Sequence, residues 1–531
     1  MNHRLCTALG CVVCFAVFAV VAVTPAAGQA VPVPSATYVP VTHDSYPFGA
    51  ANHLNVPEDL ARVGYVEEEY FVSGTANVYN WTPPGTATVR TANAPYTTRM
   101  LVRRPINSRQ FSGNVIVEIM NATNYVDFEI GWAISKEQIV HHGDVWIGFT
   151  SKPVTVAALK TFNPTRYAPL SWANPLPLTD PDNCTTLYTI IGGDSSRTTE
   201  NGLLWVIFSQ IAALVRSDAS DNPLRRFRVE RVYGYGYSQS GFDLQTYIDA
   251  VHPLAKQANG KYMFDGFLDV AGFNAAATIN QCQPGLYGEG FFFGPGPWQI
   301  SDAGVPVIRM ATDSEELLAL VQSGRRADNN TYPDQFREYE LAAAAHASPN
   351  ELDFGPAFAD ILAAGAPMPA QSCGFGPRSP YPTKALQNAA FANLDLWVRR
   401  GVEPPPGLLL NFLSDGTQVL DTYGNPTGGV RTPYVDVPTA QWFSASTGPG
   451  LCYLIGYDQP FAETQLETLY PNKEAYFKLV LADTAQLVEQ RYITPEDGLK
   501  IIQEARQSTV PAAADIPSDL PDDIYQYFWW F

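Results

Sequence analysis

Apolar and polar positions change their spacing several times along the chain, and these changes predict alternating strands and helices. Continuous β-rich apolar runs at residues 114–120 and 145–149 predict buried strands. The segment between them has helical spacing through Trp132 and Ile139. Strand, helix and strand in this order indicate a parallel sheet. An earlier run at residues 64–74 is typical of an edge strand.

The same alternation continues in the second half of the chain. An apolar helix is predicted over residues 201–216, and a β-rich run beginning at Arg228 precedes a helix over residues 242–251. Residues 305–313 and 336–342 predict two further strands. The pattern therefore indicates an α/β protein with a mostly parallel central sheet flanked by helices.

Changes in composition divide the chain into segments of different character. Stretches rich in Pro, Asn, Asp and Thr interrupt the α/β pattern, and they predict insertions over the sheet that line a substrate site. A good helix start at Thr494 predicts a surface helix that pairs with the one before it. The expected organisation is a leader at 1–29, an α/β domain at 30–455 with insertions at about 152–197 and 272–300, a helical appendage at 456–506, and an acidic and aromatic tail at 507–531.

The N-terminus has the pattern of a signal peptide. A positive end precedes a stretch from Leu5 to Val23 without charged residues, and small residues follow up to Ala30. We expect cleavage there and a secreted protein, extracellular or periplasmic. The apolar run is also long enough for an uncleaved membrane anchor. At the other end, the aromatic residues of 525–531 could dock on this domain, on a partner or on a lipid surface.

Charge and cysteine content narrow the function classes. The formal net charge of −19 argues against nucleic acid as a partner, because a phosphate backbone would be repelled. Four cysteines remain after the predicted cleavage, and in an oxidising compartment they would close one or two disulfides with three possible pairings. These four are Cys184, Cys282, Cys373 and Cys452.

The candidate chemistry begins at Gly236-Tyr237-Ser238-Gln239-Ser240. These residues lie between a β-rich run and a helix, which is the context of a nucleophile elbow. Small residues on either side of the nucleophile let the chain turn sharply there. Ser240 replaces the usual second Gly, but a nucleophile at Ser240 would put Phe242 where a small residue is needed. We therefore predict Ser238 as the nucleophile.

An elbow predicts an acid after a later strand and then a histidine. Asp313 ends a predicted strand, and Glu315 is the alternative acid in the same loop. His346 is the one histidine that follows the last strand in the right order. We expect Asp313 to orient the imidazole of His346.

The negative charge of a tetrahedral intermediate needs hydrogen-bond donors. One should be the backbone N–H of Gln239, which follows the nucleophile. The second should come from the loop after the first buried strand, at Asn121 or Ala122. Such chemistry needs no metal and no cofactor.

Further residues resemble a family of secreted proteins that are named for their α/β-hydrolase domain. The likeness spans residues 64–441, and its motifs are 64–76, 95–99, Ser238-Gln-Ser-Gly241 with 246–248, 339–341 leading to His346, 397–405 and 424–433. The resemblance implies an α/β-hydrolase fold with lid-like insertions, and it implies the roles of Ser238 and His346. In that family a Glu is usual near the position of Asp313.

The sequence therefore predicts a secreted serine hydrolase that acts on a small-molecule or polymeric carboxylic ester through an acyl-enzyme. The same three side chains could instead serve an acyltransferase or a peptidase. A non-catalytic binding protein on the same fold is the alternative from another class.

Overall fold

The central feature is a nine-stranded sheet. The computed structural model describes residues 30–83, 85–188, 196–274, 276–283, 299–300, 302–317 and 322–510. The predicted leader, most of the second insertion and most of the C-terminal tail lie outside these residues. The strands of the large sheet are β1 (Ser35–Val39), β2 (Tyr65–Asn80), β3 (Thr88–Pro105), β4 (Asn114–Ile119), β5 (Val145–Phe149), β6 (Arg231–Tyr237), β7 (Gly266–Val270), β8 (Val307–Thr312) and β9 (Phe336–Leu341).

Helices and two small sheets complete the described chain. The helices are α1 (Ile130–His142), α2 (Pro153–Phe162), α3 (Leu204–Arg216), α4 (Gln239–Ala250), α5 (Asp313–Glu316), α6 (Pro349–Asp353), α7 (Phe358–Ala363), α8 (Thr383–Arg400), α9 (Pro433–Asp436), α10 (Glu463–Leu469), α11 (Lys473–Glu489) and α12 (Pro495–Gln507). The short strands β10 (Ser372–Cys373) and β11 (Gly376–Pro377) pair with each other, as do β12 (Ala440–Phe443) and β13 (Tyr457–Pro460). None of the described helices is both long and apolar enough to span a membrane.

The sheet has an antiparallel part and a parallel part. Its order is β1-β2-β3-β5-β4-β6-β7-β8-β9, and the pairings from β5 to β9 are all parallel. Every residue of β4, β5, β7, β8 and β9 is buried, as expected for strands covered by helices on both faces. The prediction of a mostly parallel sheet flanked by helices is confirmed. The carboxyl ends of the parallel strands meet at one edge, where ligands bind in such sheets.

The structure differs from the sequence-based picture in three places. The strand predicted at residues 64–74 is not an edge strand, because β1 pairs outside it. β3, an 18-residue strand, was not predicted. The first insertion also contains the helix α2, which starts with Pro153 in the first turn, where a missing N–H costs nothing.

The C-terminal helices follow the prediction closely. α11 and α12 pack against each other. The side chain of Thr494 accepts a hydrogen bond of 3.1 Å from the N–H of Asp497 and so caps α12. Ile501, Ile502 and Ala505 are buried on one face of that helix.

Two disulfides connect distant parts of the chain. Cys184 bonds to Cys282, and Cys373 bonds to Cys452. The first bond attaches the first insertion to the segment after β7. This arrangement resolves the three pairings that the sequence left open.

Removing either disulfide should destabilise the protein by a similar amount. The bonds span 98 and 79 residues. Closing loops of such similar length restricts the unfolded chain almost equally, with a difference of about 0.2 kcal/mol. We expect Cys184→Ser/Cys282→Ser and Cys373→Ser/Cys452→Ser each to lose about 2–4 kcal/mol of unfolding free energy in urea titrations. Unfolding midpoints that do not respond to reductant would contradict this prediction.

Candidate active site

Ser238 occupies a strained turn between β6 and α4. Its backbone angles, φ of 57° and ψ of −122°, lie in a region that residues other than glycine rarely adopt. Glycines on both sides permit this turn: a Cβ on Gly236 would collide with the carbonyl of Ser240, and a Cβ on Gly241 would lie 2.9 Å from the Cα of Gly272. The local geometry is that of a nucleophile elbow.

Ser240 supports the turn in place of the usual glycine. Its side chain is buried, and its hydroxyl donates to the carbonyl of Tyr237 at 3.0 Å. The N–H of Tyr237 in turn donates to the Ser240 hydroxyl at 3.0 Å. The hydroxyl is therefore used by the backbone of the turn, which leaves Ser238 as the serine that faces His346.

His346 lies directly against Ser238. Its Nε2 is 2.7 Å from the Oγ of Ser238. The main chain of His346 is held on both sides, because its N–H donates to the Ser314 hydroxyl at 2.9 Å and its carbonyl accepts from the Tyr237 hydroxyl at 2.5 Å. Ser314 also donates to the carbonyl of Ser444 at 2.5 Å. The main chain of His346 is thus held by Ser314, which the sequence motif did not identify, and by Tyr237, which is a residue of the elbow itself.

The contact expected of Asp313 is made by Glu315. Oε1 of Glu315 contacts Nδ1 of His346, and Glu315 is fully buried. The Asp313 carboxylate accepts instead from the amide of Gln418. Among the described residues, no hydrogen bond or ion pair joins Asp313 to His346. The preference for Asp313 over Glu315 was therefore wrong as a statement of geometry.

A short helical turn explains why Glu315, and not Asp313, contacts His346. β8 ends at Thr312, one residue earlier than expected, and Asp313 begins α5. The N–H of Thr312 donates to Oε2 of Glu315 at 2.5 Å, and the Thr312 side chain accepts from the backbone N–H of Glu315, so the two residues form a capping box. The Thr312 hydroxyl also donates to Oε1 of Glu315 at 2.7 Å. The turn places the Glu315 side chain at the end of β8 against His346, and it leaves the Asp313 side chain in contact with Gln418.

The two carboxyl groups differ in their surroundings. Both oxygens of Glu315 accept hydrogen bonds, from Thr312 and from the imidazole. Burial raises the pKa of Asp313 to about 7, and the hydrogen bond from Gln418 opposes this shift. With Glu315 at Nδ1, the proton of a neutral imidazole lies on Nδ1, and Nε2 is free to accept the Ser238 proton.

The predicted oxyanion loop lies against the elbow. The Asn121 side chain donates to the carbonyl of Tyr237 at 2.9 Å. The N–H of Ala122 donates to the Gln239 side-chain oxygen at 3.1 Å. The backbone N–H of Gln239 belongs to the first turn of α4, where helical N–H groups have no partner within the helix. The structure thus brings all three predicted residues together, but the protein itself already uses the Ala122 N–H.

A family model described as an alpha/beta hydrolase domain matches residues 30–503. The chain belongs to this α/β-hydrolase family. The match includes the sheet, the elbow and the histidine loop, and it continues into α12. It therefore extends beyond residue 455, where the composition suggested that the domain ends.

Solved structures of hydrolases are similar to parts of this chain, at low identity and low TM-score. A putative acetyl xylan esterase from Bacteroides fragilis is 10% identical over 58% of this chain and 70% of its own, with a TM-score of 0.27. A lidless serine hydrolase from Xanthomonas campestris is 10% identical over 51% and 85%, with a TM-score of 0.23. The poly(3-hydroxybutyrate) depolymerase LpqC from Bordetella parapertussis is 14% identical over 58% and 87%, with a TM-score of 0.24. No curated protein matches the chain.

A further histidine of the hydrolase is buried among aromatic rings. His252 follows α4 and is fully buried, with its ring stacked on Tyr262 at 4.4 Å between centroids. Burial lowers its pKa to about 3. Across the part of the chain that the structure describes, no group of three or more His, Cys, Asp or Glu side chains could hold a metal ion.

Proposed function

We propose that this α/β-hydrolase is a secreted serine hydrolase that cleaves carboxylic esters through an acyl-enzyme. One observation carries the proposal: the Oγ of Ser238 is 2.7 Å from Nε2 of His346, whose Nδ1 contacts Glu315. A nucleophile, a base and an acid in contact in this order form the chemical unit of serine hydrolases. Glu315 takes the place of Asp313 in the proposal.

The first half of the proposed reaction forms the acyl-enzyme. The Oγ of Ser238 attacks the ester carbonyl carbon while Nε2 of His346 takes the hydroxyl proton. Glu315 stabilises the resulting imidazolium through Nδ1. When the carbon–oxygen bond to the alcohol breaks, the imidazolium returns its proton to the departing alcohol oxygen.

The second half releases the acid. A water molecule gives a proton to Nε2 of His346 and attacks the acyl carbon. The bond to the Oγ of Ser238 then breaks, and the serine recovers the proton. The products are one carboxylic acid and one alcohol, and the enzyme returns to its starting state.

Aromatic rings form part of the surroundings of the proposed site. The ring of Phe273 lies 5.3 Å from the His346 ring, between centroids, and it stacks on Phe242 at 5.4 Å. Such rings favour an apolar group next to the scissile bond. A small-molecule ester or the ester group of a polymer would satisfy this requirement.

Two features support export. Four cysteines form two disulfides, and such bonds persist in oxidising compartments. The N-terminal sequence has the pattern of a signal peptide.

The proposal is tested by labelling with a fluorophosphonate and by turnover of p-nitrophenyl esters of increasing chain length. We expect the wild type to be labelled and Ser238→Ala to lose labelling, with kcat lower by on the order of 10⁴-fold or more. The reason is that, among the described residues, the hydroxyl of Ser238 bonds to the imidazole of His346, whereas the hydroxyls of Ser314 and Tyr237 bond to its main chain.

Ser240→Ala is the matched control. It removes the other serine hydroxyl of the elbow but leaves the proposed nucleophile in place, so it should still be labelled. Chromatography of the products should find acid and alcohol in equal amounts. A folded wild type that is neither labelled nor active would sink the proposal and favour a binding protein on this fold.

A further inference from the structure

In the loop after β4, which we predicted to hold an oxyanion donor, the backbone N–H groups of residues 121–123 already have hydrogen-bond acceptors within the protein. An acyl-transfer site needs at least two donors aimed at the developing negative charge. The N–H of Gln239 supplies one in the proposed function, and the loop after β4 should supply the other. In that loop the N–H groups of residues 121–123 donate to protein acceptors instead: Asn121 to the Phe128 carbonyl at 3.0 Å, Ala122 to Oε1 of Gln239 at 3.1 Å, and Thr123 to Oδ1 of Asn121 at 2.8 Å.

A buried network holds the Ala122 contact in place. Nε2 of Gln239 donates to Oδ2 of Asp243 at 2.7 Å, and Nζ of Lys152 donates to Oδ1 of Asp243 at 2.9 Å. Lys152, Gln239 and Asp243 are all buried. Because a carboxylate only accepts hydrogen bonds, Asp243 sets the orientation of the Gln239 amide and directs its oxygen to Ala122. Releasing the Ala122 N–H would break this chain of buried polar contacts.

One donor in the loop has no partner. The hydroxyl of Thr123 is buried, and it makes no hydrogen bond to any part of the protein that the structure describes. Leaving a buried hydroxyl unpaired costs about 1–3 kcal/mol. Such groups are rare enough in folded proteins to need a specific reason.

The position of Thr123 supplies that reason. The N–H of Tyr125 donates to the Ala122 carbonyl at 2.9 Å, so Thr123 is the second residue of a tight turn. The residue before this turn, Asn121, is bonded to the carbonyl of Tyr237, which directly precedes Ser238. The unpaired hydroxyl therefore belongs to the segment that lies against the elbow.

We propose that the Thr123 hydroxyl is the second oxyanion donor and acts together with the N–H of Gln239. This inference rests on the proposed function. The Thr123 hydroxyl donates a hydrogen bond to the carbonyl oxygen of the ester as that oxygen becomes negative. The proton stays on Oγ1 of Thr123. No covalent bond to Thr123 forms or breaks, and the hydroxyl gains the partner that the resting protein does not provide.

The test compares Thr123→Val with Thr123→Ser. Valine keeps the shape of threonine but lacks the donor, whereas serine keeps the donor. We expect Thr123→Val to lower kcat for a p-nitrophenyl ester by about 10²–10³-fold, the usual loss for one oxyanion donor. KM should change little, because the contact strengthens only as charge develops. Thr123→Ser should stay within about tenfold of the wild type.

Stability and labelling measurements keep the outcomes distinct. If Thr123→Val does not fold, Thr123→Ala removes the same donor and replaces it in the comparison. A wild type that is labelled, with a Thr123→Val variant of unchanged kcat, overturns this inference and leaves the proposed function intact. Equal losses in the valine and serine variants would also overturn it, because the hydroxyl would then not be the cause. Failure of the proposed function would instead be seen as an unlabelled wild type.

Discussion

Glu315→Gln is expected to lower kcat by about 10⁴-fold while the protein stays folded, as observed when a triad carboxylate becomes an amide. A glutamine at this position can donate to Nδ1 of His346 and so favours the tautomer that has its proton on Nε2. That tautomer cannot accept the proton of Ser238. The measurement is kcat on a p-nitrophenyl ester at neutral pH.

Asp313→Asn is the matched control for the other acid of the same turn. Its carboxylate contacts Gln418 and not the imidazole, so we expect kcat within about tenfold of the wild type. A large loss in Asp313→Asn with little loss in Glu315→Gln would return the catalytic acid to Asp313.

Asp313→Asn should also change how the stability of the protein depends on pH. Folding raises the pKa of Asp313 from its ordinary value of 3.8 to about 7, because the carboxyl group is buried. The folded state therefore binds this proton more tightly than the unfolded state. The stability that this tighter proton binding contributes is fully present below about pH 4 and is lost as the pH rises to about 7. Urea titrations should show Asp313→Asn gaining stability relative to the wild type over that interval.

Arg99→Met should destabilise the protein by about 3–5 kcal/mol, the usual result when one partner of a buried ion pair is removed. Arg99 is 1% exposed, and its Nε and Nη1 lie 2.5 Å from Glu69 and 3.2 Å from Asp127. Methionine fills much of the space but leaves both carboxylates without this partner. Unfolding free energies from urea titrations give the comparison.

Arg104→Met is the matched control on the same strand. Arg104 pairs with Glu68 at 2.8 Å, but the two side chains keep 17% and 20% of their surface exposed. Water replaces much of the lost interaction there, so the expected loss is below about 1 kcal/mol. Equal losses for the two arginines would show that burial does not govern these pairs.

The sequence predicted most residues of the proposed site because the elbow has a strong local signature. Gly236 and Ser240 permit the turn at Ser238, and chain order then selects His346. The choice between Asp313 and Glu315 depended on whether the strand ends at residue 312 or 313. A one-residue shift at a strand end is decided by a capping box, which the hydrophobic pattern does not reveal.

The antiparallel part of the sheet was harder to predict because its interior carries charge. Arg99 and Arg103 are fully buried in β3, and Glu69 is buried in β2. Burial-based patterns assume apolar residues inside, so a strand with inward-facing arginines reads as polar. The commitment of the Ala122 N–H to the Gln239 side chain was equally invisible, since it depends on a contact between residues 117 positions apart.

The buried charges of β2 and β3 also determine the register in which the two strands pair. Arg103 lies opposite Glu67 across the two strands, and Arg99 reaches Glu69 diagonally. If the strands slipped by one residue, side chains would exchange faces and charged groups would be buried without partners. Long strands bearing only apolar side chains would tolerate several pairings. Here a single alignment satisfies the charges, so they give the hairpin specificity that a purely apolar interior would lack.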